Sequence, residues 1–79
     1  MKFITYAIYS ITLDKIYVGQ TNNIDRRIKE HKNGYSTYTS NARDWKLIYQ
    51  KSFTSRSSAM KREKQLKSFR GREFLKNLV

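Results

Sequence analysis

Residues 3–32 read FITYAIYSITLDKIYVGQTNNIDRRIKEHK, and the fold turns on how this stretch divides. From Phe3 to Ile11 the β-branched, aromatic and apolar residues are too dense for simple alternation. Such density predicts a strand covered on both faces, which places it centrally in a sheet. Lys15 to Thr21 (KIYVGQT) reads as its partner, and the connection through Thr12, Leu13 and Asp14 is short enough for an antiparallel hairpin. A connection spanning Ile11 to Asp14 sets Ser10 opposite Lys15, Ile8 opposite Tyr17 and Tyr6 opposite Gly19. Tyr6 and Tyr17 then become diagonal neighbours about 7 Å apart on one face. Gly19, with no side chain to pack, predicts a bulge or the close approach of another backbone or a ligand. From Ile24 to Lys32 the period turns helical. Asn22 or Asn23 can serve as N-cap, Asp25 suits the positive end of the helix dipole, and Asn33-Gly34 closes the segment with residues that tolerate positive φ.

Beyond this stretch, Gly34 to Asp44 (GYSTYTSNARD) is polar and without period, which predicts an exposed loop of a length that tends to carry function. Trp45 to Phe53 alternates and predicts a third strand, with Trp45, Leu47, Tyr49 and Phe53 on one face. Thr54 or Ser55 then caps a helix running to about Ser68. Gly71 follows, and a last short helical segment offers Phe74, Leu75 and Leu78 to the core. The expected order is β-β-α-β-α-α. This is an α+β fold, a small three-stranded antiparallel sheet flanked by helices, with residues 1–79 forming one domain.

Composition sets the partners. The 79 residues carry 17 Lys and Arg against 6 Asp and Glu, a formal net charge of +11, with 38% apolar residues, one His, no Cys and no Pro. Disulfides, thiolate metal sites and a nucleophilic Cys are excluded. No charged leader precedes an apolar stretch, and no apolar run approaches the roughly 18 residues of a membrane span. A cytoplasmic protein that makes no membrane contact is the expectation. Charge of this density attracts polyanions, and nucleic acid is the commonest of these. Residues 55–79 are the densest part, with eight Lys or Arg and two acids. Arg26, Lys61, Arg62, Lys64, Lys67 and Arg70 are the candidate nucleic-acid contacts.

Some polar residues fall on faces that should be apolar. At about 100° per residue Arg27 and His31 border the buried stripe made by Ile24 and Ile28. On the later helix Ala59, Met60 and Leu66 define the apolar face, with Glu63 projecting into its middle. A carboxylate there is costly unless it is paired or metal-bound. An ion pair with Lys67 or with Arg27 is the structural explanation. These groups match no glycosidase pair, no Ser-His-Asp set and no nucleotide-cradling loop. They do suffice for phosphodiester hydrolysis. A tyrosine can act as base, Arg27 can bind the phosphate, and Glu63 can anchor one hard divalent ion that keeps most of its waters.

The segments TYAIYS, KIYVGQTNNIDRRIKEH, G-x3-YT (Gly34 to Thr39), WKLIY and F-x2-R-x2-AMKRE-x2-LK (Phe53 to Lys67), in this order and spacing, resemble the GIY-YIG (URI) endonuclease domain. The likeness is greatest to the small stand-alone bacterial members, which are similar to the N-terminal domain of the excision-repair nuclease. By this resemblance the two signature tyrosines are Tyr6 and Tyr17, the helix Arg and His are Arg27 and His31, and the metal-binding Glu is Glu63. It implies metal-dependent hydrolysis of DNA with a single Mg²⁺ or Mn²⁺, in repair or recombination, with RNA a further possible substrate and the oligomeric state open. The first triplet reads Ile4-Thr5-Tyr6, so the family's glycine is replaced while the tyrosine is kept. The alternative is a non-catalytic basic nucleic-acid-binding module of the same fold, in which Glu63 is only an ion-pair partner.

Overall fold

The computed structural model describes residues 2–34 and 39–79. Its elements run β1 (Phe3–Ser10), β2 (Lys15–Thr21), α1 (Ile24–Lys32), β3 (Lys46–Phe53), α2 (Arg56–Lys67) and α3 (Phe69–Lys76). The strands form one antiparallel sheet in the order β2-β1-β3, so the apolar run of β1 is the central strand. The hairpin register is the one that the loop length demands: Ser10 pairs with Lys15, Ile8 with Tyr17 and Tyr6 with Gly19. Asp14 takes positive φ (50°) to turn the chain.

Alternate residues of β1 serve two different cores. Tyr6 and Ile8 pack with Ala42 and Trp45, bordered by Tyr17, Ile24, Ile28 and Leu47, on the face that α1 covers. Ala7 packs with Val18, Leu66 and Leu75, bordered by Ile16, Ile48 and Tyr49, beneath α2 and α3. On that second face the buried Thr5 Oγ1 donates to the carbonyl of Ala59, 2.7 Å away, and ties α2 to the central strand.

β3 departs from the alternation read in its sequence. Ala7 pairs with Tyr49 while its neighbour Ile8 pairs with Leu47, so Ile48 is an extra residue in a bulge. Leu47 consequently joins the α1 face, whereas Ile48 and Tyr49 join the opposite one. Trp45, Leu47, Tyr49 and Phe53 therefore do not share a face. Periodicity cannot foresee this, because a bulge is decided by the partner strand.

The helix caps follow the sequence. The Asn23 side chain accepts from Arg26 N at α1, and Ser55 accepts from Ser58 N at α2. Gly34 has φ +74° just after α1. The longer helix ends at Ser68 as its sequence predicts, but the last helix starts before Gly71 and not after it: Ser68 Oγ accepts from the Gly71 amide and caps α3. Gly71 sits inside that helix, where a Cβ would lie 2.2 Å from the Gln65 carbonyl oxygen. Three apolar assignments also change. Met60 is 53% exposed and leaves the α2 core face to Ala59 and Leu66. Leu75 is buried, but Leu78 stays 44% exposed and Phe74 only leans its ring edge on Tyr49, centroids 5.8 Å apart. Within the segment read as an exposed loop, Thr39 and Ala42 are buried, and positions 35–38 lie outside the described residues.

Asp44 pins the segment that precedes β3 to the β1–β2 turn. One of its carboxylate oxygens accepts from Ser10 Oγ (2.6 Å) and the other from the backbone and hydroxyl of Thr12 (2.9 and 3.1 Å). These bonds from Ser10 and Thr12 pull its pKa down to about 2. The clamp fixes the approach to Trp45, whose indole N–H donates to the Thr39 carbonyl at 2.9 Å.

Candidate active site

Four of the five residues singled out in the sequence converge on the α1 face of the sheet. Tyr6 comes from the central strand, Tyr17 from the edge strand beside it, and Arg27 and His31 from one side of α1. The tyrosine rings lie 6.3 Å apart, as the diagonal register requires. Both lie tilted against His31, with centroids at 5.8 Å from Tyr6 and 5.0 Å from Tyr17. Gly19 makes this packing possible: a Cβ there would stand 2.9 Å from the Tyr6 hydroxyl and 3.1 Å from the Tyr17 ring. The missing side chain is space for the two phenols.

Hydrogen bonds knit the group together. The Tyr6 hydroxyl meets His31 Nε2 at 2.8 Å, and His31 Nδ1 meets Thr39 Oγ1 at 2.7 Å. Arg27 donates from Nε to the Tyr6 oxygen at 3.3 Å and from Nη1 to Glu30 at 3.0 Å, and it also hydrogen-bonds Tyr17. Arg27 thus bridges the two phenols. Its ion partner is Glu30, one turn along α1, so the cross-helix pair with Glu63 is not formed.

Burial decides what each group can do. Tyr6 has no exposed surface, and its burial raises its pKa to about 12 against the lowering effect of the Arg27 hydrogen bond. At neutral pH it is a neutral hydrogen-bond donor. His31 is equally buried, and burial together with the Arg27 charge lowers its pKa to about 4. It is therefore a neutral imidazole, not the charged residue that its place in the last turn of α1 would favour. Tyr17 is only half-buried, which makes it the phenol of the pair that reaches solvent.

Glu63 stands on α2 between Ala59 and Leu66, the two residues by which that helix enters the core. Its side chain is 21% exposed and its Oε2 accepts from Lys67 Nζ at 2.8 Å. Its charge nevertheless reaches Tyr6, where it adds to the upward shift of that phenol. Among the described residues no group of three His, Cys, Asp or Glu side chains gathers into a metal cage. Among the described residues the site offers two carboxylates, Glu30, which is taken up by Arg27, and Glu63, whose charge is felt at Tyr6. Such a donor set suits a hard cation that keeps most of its waters and takes further oxygens from a phosphate, and it is too poor for a structural zinc.

The candidate nucleic-acid contacts separate into two kinds. Arg26, Lys61, Lys64, Lys67 and Arg70 are exposed. Arg62 is half-buried: it donates to the Tyr49 hydroxyl at 3.0 Å and lies over the rings of Tyr49 and Phe74, joining β3, α2 and α3. Two residues of the α1-face cluster were not singled out in the sequence, Thr39 and Glu30. Thr39 closes the G-x3-YT motif, so a signal was present, but nothing in local periodicity says that this hydroxyl meets an imidazole eight residues earlier.

Comparison with known proteins gives a consistent picture. The family model described as the GIY-YIG catalytic domain matches residues 2–77. A UPF0213 protein of Staphylococcus haemolyticus is 39% identical over 64 residues, which cover 80% of this chain and 78% of that protein. A UPF0213 protein of Natronomonas pharaonis is 36% identical over 62 residues, covering 77% of this chain and 73% of that one. The solution NMR structure of the UPF0213 protein BH0048 from Bacillus halodurans matches with a TM-score of 0.58 at 32% identity, over 99% of this chain and 85% of that chain.

Proposed function

The chain belongs to the GIY-YIG family, a family of nucleases, and from that premise we propose that it is a metal-dependent DNA endonuclease whose centre is Tyr6, Tyr17, Arg27, His31 and Glu63. The observation that carries this reading is the hydrogen-bonded convergence of Tyr6, Arg27 and His31 beside Tyr17. A packing role alone would not require a guanidinium hydrogen-bonded to two phenols at the edge of a core.

In this reading each side chain has a distinct task. Tyr17 is the base that takes the proton of the attacking water, because it reaches solvent while Tyr6 does not. The hydrogen bond from Arg27 supports negative charge on the Tyr17 oxygen, and the same guanidinium neutralises the phosphate as charge builds on its oxygens. Tyr17, its own phenol proton given up to solvent, takes the proton of the water as the water oxygen bonds to phosphorus; the ester bond on the opposite side breaks, and the leaving oxygen takes a proton from solvent water. Tyr6 and His31 keep their protons throughout and act as a fixed frame. Glu63 would hold the single Mg²⁺ or Mn²⁺, which when bound supplies Lewis-acid stabilisation of the leaving oxygen. Exposed Lys61, Lys64, Lys67, Arg70 and Arg26 supply sequence-independent attraction to the backbone, of the kind that weakens steeply with salt. DNA repair or recombination is the process that fits such an activity.

The Glu63–Lys67 ion pair is the one observation that favours the alternative, a binding module without turnover. The two are separated by incubating supercoiled plasmid and branched oligonucleotides with Mg²⁺, Mn²⁺ or EDTA, comparing wild type with Glu63→Ala and Tyr17→Phe. Nicking that needs metal and disappears in both variants is expected. Equal binding by all three proteins without any cutting would establish the binding module.

A further inference from the structure

The buried chain Tyr6–His31–Thr39 has a proton order that can be deduced, and the deduction gives Thr39 a role. A guanidinium donates and never accepts, so the bond between Arg27 Nε and the Tyr6 oxygen leaves the phenol proton free for another partner. That partner is His31 Nε2, 2.8 Å away, which must then be bare. A neutral imidazole with bare Nε2 carries its proton on Nδ1. Nδ1–H therefore donates to Thr39 Oγ1, its neighbour at 2.7 Å. The opposite tautomer would direct two N–H groups at the Tyr6 oxygen and force the phenol proton out of this line inside a buried core.

We infer that Thr39 is a positioning residue, whose hydroxyl accepts the Nδ1 proton that the Arg27–Tyr6 bond assigns to the ring, and so stabilises that tautomer of His31 and with it the orientation of Tyr6 and Arg27. The hydroxyl is itself held. Thr39 has no exposed surface, and its carbonyl accepts the indole N–H of Trp45, a residue 3% exposed at the entry to β3. Asp44, next to Trp45, is clamped to the β1–β2 turn, so the hairpin and the start of β3 together aim the Thr39 side chain. The charged groups facing the imidazole are Arg27, whose charge disfavours a second ring proton, and Glu30, whose smaller effect is opposite. The consequence for catalysis rests on the nuclease reading above, whereas the tautomer does not depend on it.

The chain contains a single His, so its ring nitrogens can be read without assignment in long-range ¹H–¹⁵N correlation spectra at neutral pH. Wild type and Thr39→Ser are expected to show a protonated Nδ1 and a bare Nε2. Thr39→Val, which keeps the shape and removes the acceptor, should shift the ring to the Nε2–H tautomer. In plasmid nicking Thr39→Val should lose at least tenfold in kcat with little change in KM, and Thr39→Ser should recover most of it. If Thr39→Val does not fold, Trp45→Phe, which frees the Thr39 carbonyl, must move the ring signals in the same direction. An Nε2–H ring in the wild type, an unchanged tautomer in a folded Thr39→Val protein, or a changed tautomer with full activity would each overturn the inference. A wild type that cuts nothing but shows the expected tautomer and its reversal would overturn the nuclease reading alone and leave the assignment standing.

Discussion

The two faces of the sheet are built from neighbouring residues of one strand, and they are opposites. Under α2 and α3 the contacts of Ala7, Val18, Leu66 and Leu75 are apolar, and the half-buried Arg62 lies against the rings of Tyr49 and Phe74. Under α1 the core includes two phenols, a neutral imidazole and a guanidinium, with Tyr6, His31 and Thr39 fully buried. No buried polar side-chain atom among the described residues lacks a partner, so the polar face avoids the penalty of unmatched groups. Its geometry is nonetheless set by a few directional bonds, where the other face has many interchangeable contacts. The comparison teaches a division of labour: one face contributes apolar packing, and the other, on the function proposed above, carries the chemistry.

Substitutions can test that division. The largest effect should come from Glu63→Gln, on α2 but with a charge felt at Tyr6 on the other face, with cleavage falling about 100-fold or more. Thermal unfolding should change little, because a partly exposed pair such as Glu63–Lys67 is worth about 0.5 kcal/mol. A large loss of stability in this variant would mean that the faces are not separate. Leu66→Ala, deep in the apolar face, should do the reverse. It should cost about 2–5 kcal/mol in chemical denaturation, while the protein that stays folded cuts at a near-normal rate.

The polar face should announce itself through pH. His31 has a pKa of about 4 when folded and about 6.5 when unfolded, so the unfolded chain binds the extra proton between these values. Stability is complete above about pH 6.5 and erodes as pH falls towards about 4, by at most about 3 kcal/mol. Denaturant midpoints measured across this range should flatten in His31→Asn, and a wild-type slope that survives the substitution would remove His31 as the source. Asp44 acts lower: its depressed pKa means that its contribution is lost as pH falls from about 4 through about 2. Below these in size stands Arg62→Ala, expected to cost about 1 kcal/mol through its aromatic contacts. The salt dependence of DNA affinity should be nearly unchanged there, but lowered by about one ion in Lys64→Ala. An equal drop in the Arg62 variant would make it a phosphate contact after all.

Much of this architecture was legible in the chain. A connection spanning Ile11 to Asp14 puts Tyr6 and Tyr17 side by side near Gly19, and the structure has that register, whereas a loop one residue longer or shorter would have separated them. The i,i+4 spacing of Arg27 and His31 set them on one side of α1, and the place of Glu63 between Ala59 and Leu66 set it against the core. Other features were not legible. The bulge at Ile48 depends on how β3 meets β1, and it sends Leu47 and Tyr49 to opposite faces. Met60 looked like a core residue by period, yet no element lies against it closely enough to bury it. Arg62 looked like one more surface cation until Tyr49 and Phe74, distant in sequence, closed around it.

The sequence by itself determined the strands, the helices and the helix faces on which Arg27, His31 and Glu63 lie, because those follow from local periodicity, and it narrowed the hairpin to a register that the structure then selected. Only the tertiary structure decided the chemical state of the site. Whether His31 is charged, which of its nitrogens holds the proton and which tyrosine meets water depend on burial and on partners as distant as Thr39, Arg27 and Trp45. Desolvation and hydrogen-bond direction are properties of the packed assembly, and no local pattern encodes them.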